Sequence, residues 1–79
     1  MSTKVLILIT EDDPLMSRMY QKIFTFEGYE VVMAKDGEEG LGMAKKEKPT
    51  IILLDVMMPK MNGIEMLEKL KLDPSTKTI

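Results

Sequence analysis

Neither cysteine nor histidine occurs among the 79 residues. The first absence rules out a disulfide staple and any thiolate metal site. The second removes Ser-His-Asp hydrolysis, Cys-His chemistry, imidazole-bound zinc and any phosphohistidine on this chain. Whatever chemistry it performs must run on carboxylates, hydroxyls, lysines and backbone. Long apolar runs are missing too. The longest, Val5 to Ile9, is far too short to cross a bilayer or to act as a signal core. No block of a single charge stands out: 11 basic residues face 13 acidic ones, and no basic run argues for nucleic acid. These absences set the expectation of a cytoplasmic chain without membrane or nucleic-acid contacts. Methionine, by contrast, is abundant, with nine residues. Its flexible thioether serves either to fill gaps in a core or to form an adaptable binding surface.

The length permits one domain at most, and a chain this short buries a small share of its surface. Val5-Leu-Ile-Leu-Ile9 is continuous, apolar and partly β-branched, which predicts a strand covered on both faces, as in a parallel sheet. Asp13 can cap a following helix and Pro14 suits its first turn. Leu15, Met19, Ile23 and Phe26 recur at helical spacing, and Gly28 closes the helix. Tyr29 to Ala34 reads as a second strand. Asp36 caps a second helix, with Glu39 at the capping-box position. Leu41 and Ala44 lie on that helix, but Gly40 and Gly42 weaken it by up to about 1 kcal/mol each relative to alanine. Ile51 to Leu54 is a third apolar strand. Asn62 caps a third helix, with Glu65 three residues on, Met66, Leu67 and Leu70 on its inner face, and Asp73-Pro74 as its stop. The order βαβαβα implies an α/β fold with a parallel sheet and right-handed crossovers.

Sites in such sheets form beyond the carboxyl ends of the strands. Glu11 and Asp12 follow the first strand and Asp55 follows the third. Three carboxylates at one crevice repel one another, by roughly 4 kcal/mol per pair at about 4 Å and an effective dielectric near 20. A hard divalent cation relieves that repulsion and leaves a position for a phosphoryl oxygen. The bland alternative makes Asp12 or Asp13 a helix cap and Asp55 a turn residue. For Asp13 the cap is the better reading. For Glu11, Asp12 and Asp55, placement at two strand ends favours the site.

The stretches KVLILITEDDPLMSRMYQKIF, GYEVVMAKDGEEGLGMAKKEKPTI and ILLDVMMPKMNGIEMLEKLK resemble a bacterial response-regulator receiver domain of the chemotaxis-regulator type. The resemblance runs from Lys4 to Ile79 without a gap. Its most specific part is Asp55-Val-Met-Met-Pro-Lys-Met-Asn-Gly63. It implies that Asp55 accepts a phosphoryl group from the phosphohistidine of a sensor histidine kinase or phosphotransfer protein. It implies Mg²⁺, or Mn²⁺, held by Asp12 and Asp55, by the backbone carbonyl of Met57, and by Glu11 through water. Pro59 and Gly63 would shape the loop that delivers Asn62 to the third helix, while Lys60 is expected to point to solvent. The chain itself is then a phosphorylated signalling domain and not an enzyme. A haloacid-dehalogenase phosphatase is the competing reading, but that family places Asp-x-Asp after its first strand and this chain has Thr10-Glu11-Asp12-Asp13.

The resemblance further implies a flavodoxin-like sheet of five strands in the order 2-1-3-4-5, of which residues 1–79 would supply the 2-1-3 half. The last two βα units are expected to be missing, and with them a hydroxyl at the end of strand four and a lysine at the end of strand five. Phosphorylation is therefore expected to be impaired. A self-associating half-domain without signalling activity is the alternative. An open third strand and an uncovered first helix predict a homodimer, through the third strands or through exchange of the tail Ser75 to Ile79, with the third strands preferred.

Overall fold

The computed structural model describes residues 5–55 and 61–79. Strand β1 spans Leu6–Thr10, helix α1 Pro14–Phe26, β2 Glu30–Ala34, α2 Gly37–Glu47, β3 Ile51–Leu54 and α3 Gly63–Leu72. All six elements follow the expected order. The caps explain why the helices begin where they do. The Asp13 carboxylate accepts from the Leu15 amide at 2.9 Å, with Pro14 in the first turn. Asp36 accepts from Glu39 N–H at 2.8 Å, and the Glu39 carboxylate reaches back to the Lys35 amide at 2.8 Å. Asn62 accepts from Glu65 N–H at 2.9 Å. Each satisfies an amide that the first turn of a helix leaves without a partner. Gly28, at φ +96°, takes the left-handed position that ends α1.

The sheet is parallel, in the order β2-β1-β3. Leu6 pairs with Glu30 and Thr10 with Ala34 on one side of β1; Ile7 pairs with Ile51 and Thr10 with Leu54 on the other. The central strand is therefore buried from Ile7 to Thr10, as its unbroken apolar run requires. Leu8, Ala34, Ala44, Met66 and Leu70 form the core under α2 and α3, joined by Val32, Ile52 and Leu54. Alternation along the strands puts Ile7, Ile9, Ile51 and Leu53 on the opposite face, with α1.

Two details correct the helical patterns expected from sequence. In α1, Leu15, Met19, Ile23 and Phe26 are exposed, Phe26 at 88%. The half-buried stripe is instead Met16, Tyr20 and Phe24. The helix carries two overlapping apolar stripes, and the sheet takes the one bearing the rings; Phe24 also packs with Tyr29 at 6.2 Å between centroids. In α3, Met66 and Leu70 are buried but Leu67 is exposed, because α2 contacts only one side of the helix. Gly40 has a packing reason that propensity does not reveal. A Cβ there would lie 2.8 Å from the Met66 methyl and 2.9 Å from Thr10 Oγ1.

After α3 the chain turns back on itself. Thr76 is buried, and its hydroxyl donates to the Leu70 carbonyl at 2.8 Å. Asp73 accepts from both the amide and the hydroxyl of Ser75, and it pairs with Lys45 of α2 at 3.3 Å. No helix among the described residues is long and apolar enough to cross a membrane.

Candidate functional site

The site grows out of the last residues of the ladder. Thr10 pairs with Leu54, so the residues that follow, Glu11 and Asp55, leave adjacent strands side by side. Backbone hydrogen bonds fix both: Asp55 N–H donates to the Thr10 carbonyl at 3.1 Å, and Glu11 N–H donates to the Ala34 carbonyl at 3.0 Å. One carboxylate oxygen each from Glu11, Asp12 and Asp55 lies within 4.8 Å of the others. Asp12 is exposed, and Glu11 and Asp55 are partly buried. Asp13 stands apart as the α1 cap, while its own amide donates to Glu11 Oε2 at 3.2 Å.

The Glu11 carboxyl is pushed above its usual range. Loss of water is the first cause, and the neighbouring Asp55 and Asp12 carboxylates push the same way against the Asp13 amide. The geometry thus concentrates negative charge at one strand-end crevice. A cleft of about 300 Å³ opens beside it, lined by Ile9, Thr10, Glu11, Tyr20, Leu53, Leu54 and Asp55. Three oxygen donors, with one carboxylate reaching into solvent, form a hard and partly hydrated donor set. This fits a small divalent cation that keeps several waters, and suits Mg²⁺ or Mn²⁺ better than a softer metal.

The structure brings together Glu11, Asp12 and Asp55, as expected from their positions after β1 and β3. The Met57 carbonyl, Pro59 and Lys60 lie outside the described residues. Asn62 and Gly63 stand at the start of α3, with Gly63 buried. Sequence reasoning passed over two residues. Tyr20 forms a wall of the cleft, a role hinted at only by its place in the second apolar stripe of α1. Thr10 is fully buried, and its hydroxyl has no hydrogen-bond partner among the described residues. A lone hydroxyl at the end of an apolar strand was the available signal.

A sequence profile of the response regulator receiver domain matches residues 7–79. Among curated proteins, the chain is 47% identical over 73 residues to the response regulator PleD of Caulobacter vibrioides, covering 92% of this chain and 16% of that protein. It is 43% identical over 65 residues to the alkaline phosphatase synthesis transcriptional regulatory protein PhoP of Bacillus subtilis, covering 82% and 27%. Among solved structures, the N-terminal domain of a response regulator receiver protein from Methanoculleus marisnigri superposes with a TM-score of 0.91 at 36% identity, covering 94% of this chain and 60% of that one. Vibrio cholerae chemotaxis protein CheY4 gives 0.90 at 31%, covering 95% and 62%. The chain therefore spans less than a third of these two curated relatives and about three-fifths of the solved chains.

Proposed function

The chain belongs to the response regulator receiver family, and on that premise we propose that Asp55 accepts a phosphoryl group from the phosphohistidine of a sensor kinase or phosphotransfer protein in the cytoplasm. The observation that carries this reading is the meeting of the Glu11, Asp12 and Asp55 carboxylate oxygens within 4.8 Å, at the ends of neighbouring strands. An Asp55 oxygen attacks phosphorus, a P–O bond forms as the P–N bond breaks, and the imidazole leaves. Asp12 and Asp55 would hold Mg²⁺ or Mn²⁺, with Glu11 acting through water and the Met57 carbonyl as a further ligand. When bound, the ion offsets charge on the transferring group and lines it up with the acceptor. The chain's own residues supply position. Both strand-end backbones are tied into the ladder, so the acceptor meets the phosphoryl group without reorganising. In this reading the chain is the substrate of a partner and not an enzyme in its own right.

Incubation with a small phosphodonor and Mg²⁺, followed by intact-mass analysis, tests the proposal. A single phosphoryl adduct is expected, lost in Asp55→Asn and strongly reduced in Asp12→Asn. An adduct that survives Asp55→Asn would refute the assignment.

The second reading, self-association, draws on a separate observation. β3 is an edge of the described sheet, Ile51 is 49% exposed and Leu53 37%, and α1 presents Leu15, Met19, Ile23 and Phe26 to solvent. Edges of this kind template pairing between chains. A two-fold dimer through β3 is the closed solution. Exchange of the tail is disfavoured, because Thr76 is buried against the chain's own α3. Sedimentation equilibrium decides the matter. A well-folded monomer at about tens of micromolar, where dimers with micromolar dissociation constants form, would exclude the dimer.

A further inference from the structure

One wall of the cleft beside Asp55 does not come from the sheet. Ile9, Thr10, Leu53 and Leu54 belong to the ends of β1 and β3, and Glu11 and Asp55 follow them; Tyr20 is the contribution of α1. That helix starts at Pro14, directly after the acidic residues, and runs away from them. Side chains on a helix lean toward its N-terminus. The Tyr20 phenol is therefore carried toward Glu11 and Asp55, across a cleft of only about 300 Å³. Neither lysine nor arginine is among the described residues that line it. The other hydroxyl of the lining, that of Thr10, is turned to the α2 side of the sheet, where its Oγ1 comes within 2.9 Å of the Cβ position of Gly40. Among the described residues, Tyr20 thus supplies the one hydroxyl that the cleft offers on the acceptor's side.

We propose that Tyr20 contacts the substrate of the phosphoryl transfer: its phenol donates a hydrogen bond, from the cleft side, to a phosphoryl oxygen on Asp55. The inference rests on the acceptor reading above. A phosphoryl group on Asp55 adds negative charge to a crevice that already holds Glu11 and Asp12. The cleft side offers no cationic side chain among the described residues to offset it. A hydrogen bond to an anion is about twice as strong as one between neutral groups, so a phenol there is well used. The phenol keeps its proton throughout, and the bonds made and broken remain the P–O and P–N bonds already given. In an enclosed site, losing one such donor costs about 10²–10³-fold in rate; this cleft opens to water, which reduces the expected loss to about tenfold. Phenylalanine would serve equally well as a mere wall, so the hydroxyl alone is at issue.

The test compares the rate of labelling by acetyl phosphate in Mg²⁺, read by intact mass, for wild type, Tyr20→Phe and Tyr29→Phe. Tyr20→Phe keeps the ring and removes only the hydroxyl. Tyr29 precedes β2, whose first residue Glu30 pairs with Leu6 at the far end of β1 from Thr10, so it controls for the loss of a phenol elsewhere. We expect labelling at Asp55 to slow about tenfold in Tyr20→Phe, with Mg²⁺ affinity unchanged, and to keep its rate in Tyr29→Phe. A wild-type rate in Tyr20→Phe overturns this proposal alone, and so does a slow rate matched by an equal loss of Mg²⁺ affinity. A wild-type chain that takes no adduct overturns the acceptor reading and this proposal with it. A measurement on the unaltered chain covers the case in which Tyr20→Phe does not fold. Tyr20 and Tyr29 are the two tyrosines of the sequence, so ¹³Cζ labelling gives two NMR signals, assigned by Tyr29→Phe. Beryllofluoride with Mg²⁺, a mimic of the phosphoryl group, should shift the Tyr20 signal beyond its position in Mg²⁺ alone and leave Tyr29 in place. A Tyr20 signal that stays still while the Asp55 amide moves also overturns the proposal.

Discussion

Replacing Asp55 by asparagine should make the metal-free protein more stable, although it removes the acceptor. Unit charges 4.8 Å apart repel by about 3.5 kcal/mol at an effective dielectric of 20 and by about 0.9 kcal/mol in water. Because Asp12 is exposed and Glu11 and Asp55 only partly buried, the watery end of that range applies. Asp55→Asn deletes two of the three repulsive pairs and keeps the side chain's shape. Its gain is therefore about 1–2 kcal/mol at neutral pH and low salt, which for a domain of this size is roughly 5–15 °C in melting temperature. The assay is thermal unfolding by circular dichroism in chelator, repeated with millimolar Mg²⁺. Wild type should rise with Mg²⁺ by mass action, and the variant should respond little. At pH 4, below the raised pKa of Glu11, the advantage of the variant should shrink as Glu11 takes up its proton. A metal-free Asp55→Asn chain that melts at or below wild type would refute the argument, because the three acids could not then be repelling one another in the folded state.

Further outcomes follow from the packing and the titration of the same region. Gly42→Ala should stabilise the chain by up to about 1 kcal/mol in urea unfolding, since its Cβ meets open space, whereas Gly40→Ala should destabilise it by pressing on Met66 and Thr10. Thr10→Val removes a buried hydroxyl that lacks a partner among the described residues, so the same titration should show a gain of about 1 kcal/mol; a loss would show that the hydroxyl is bonded after all. The folded state raises the Glu11 pKa above 4.5, so it holds that proton more tightly than the unfolded chain does. The contribution of Glu11 is fully present below pH 4.5 and is lost as pH climbs through the raised value. Metal-free stability should thus fall from about pH 4.5 toward neutrality, and Glu11→Gln should flatten that slope. Asp73 works in the opposite sense. Its lowered pKa adds stability that is lost only as pH drops below its ordinary 3.8, outside the Glu11 window.

Where local chemistry decides, the sequence was a sufficient guide. Asp13, Asp36 and Asn62 cap the helices they were expected to cap, because an N-cap needs only a short acceptor before a helical pattern. The apolar run of β1 announces its two-sided burial, whereas β3, equally apolar, leaves Ile51 and Leu53 exposed at the sheet edge; two acidic strand ends fall together once the order 2-1-3 is set. What stayed hidden depends on tertiary contact. Periodicity alone does not say which of two overlapping stripes on α1 faces the sheet. Nor does propensity distinguish Gly40, which touches Thr10 and Met66, from Gly42, which touches nothing. Gly37 is a similar case, since only the arrival of Met61, 24 positions later in the chain, gives it a purpose.

The hydrogen bond from the Asp55 amide to the Thr10 carbonyl lies just past the last residue pair joining β1 to β3. Closing it requires the whole intervening αβαβ stretch to be in place, and such long-range closures come late when a chain folds. The carboxylates therefore crowd one another only after nearly all other contacts exist, so their repulsion is largely absent from the transition state. An ion that settles among them acts on the escape rate from the native state and scarcely on the rate of reaching it. In kinetic terms the acidic end of the sheet is a latch: without metal the chain should open from this rung first, and with metal it should refold no faster but stay folded far longer.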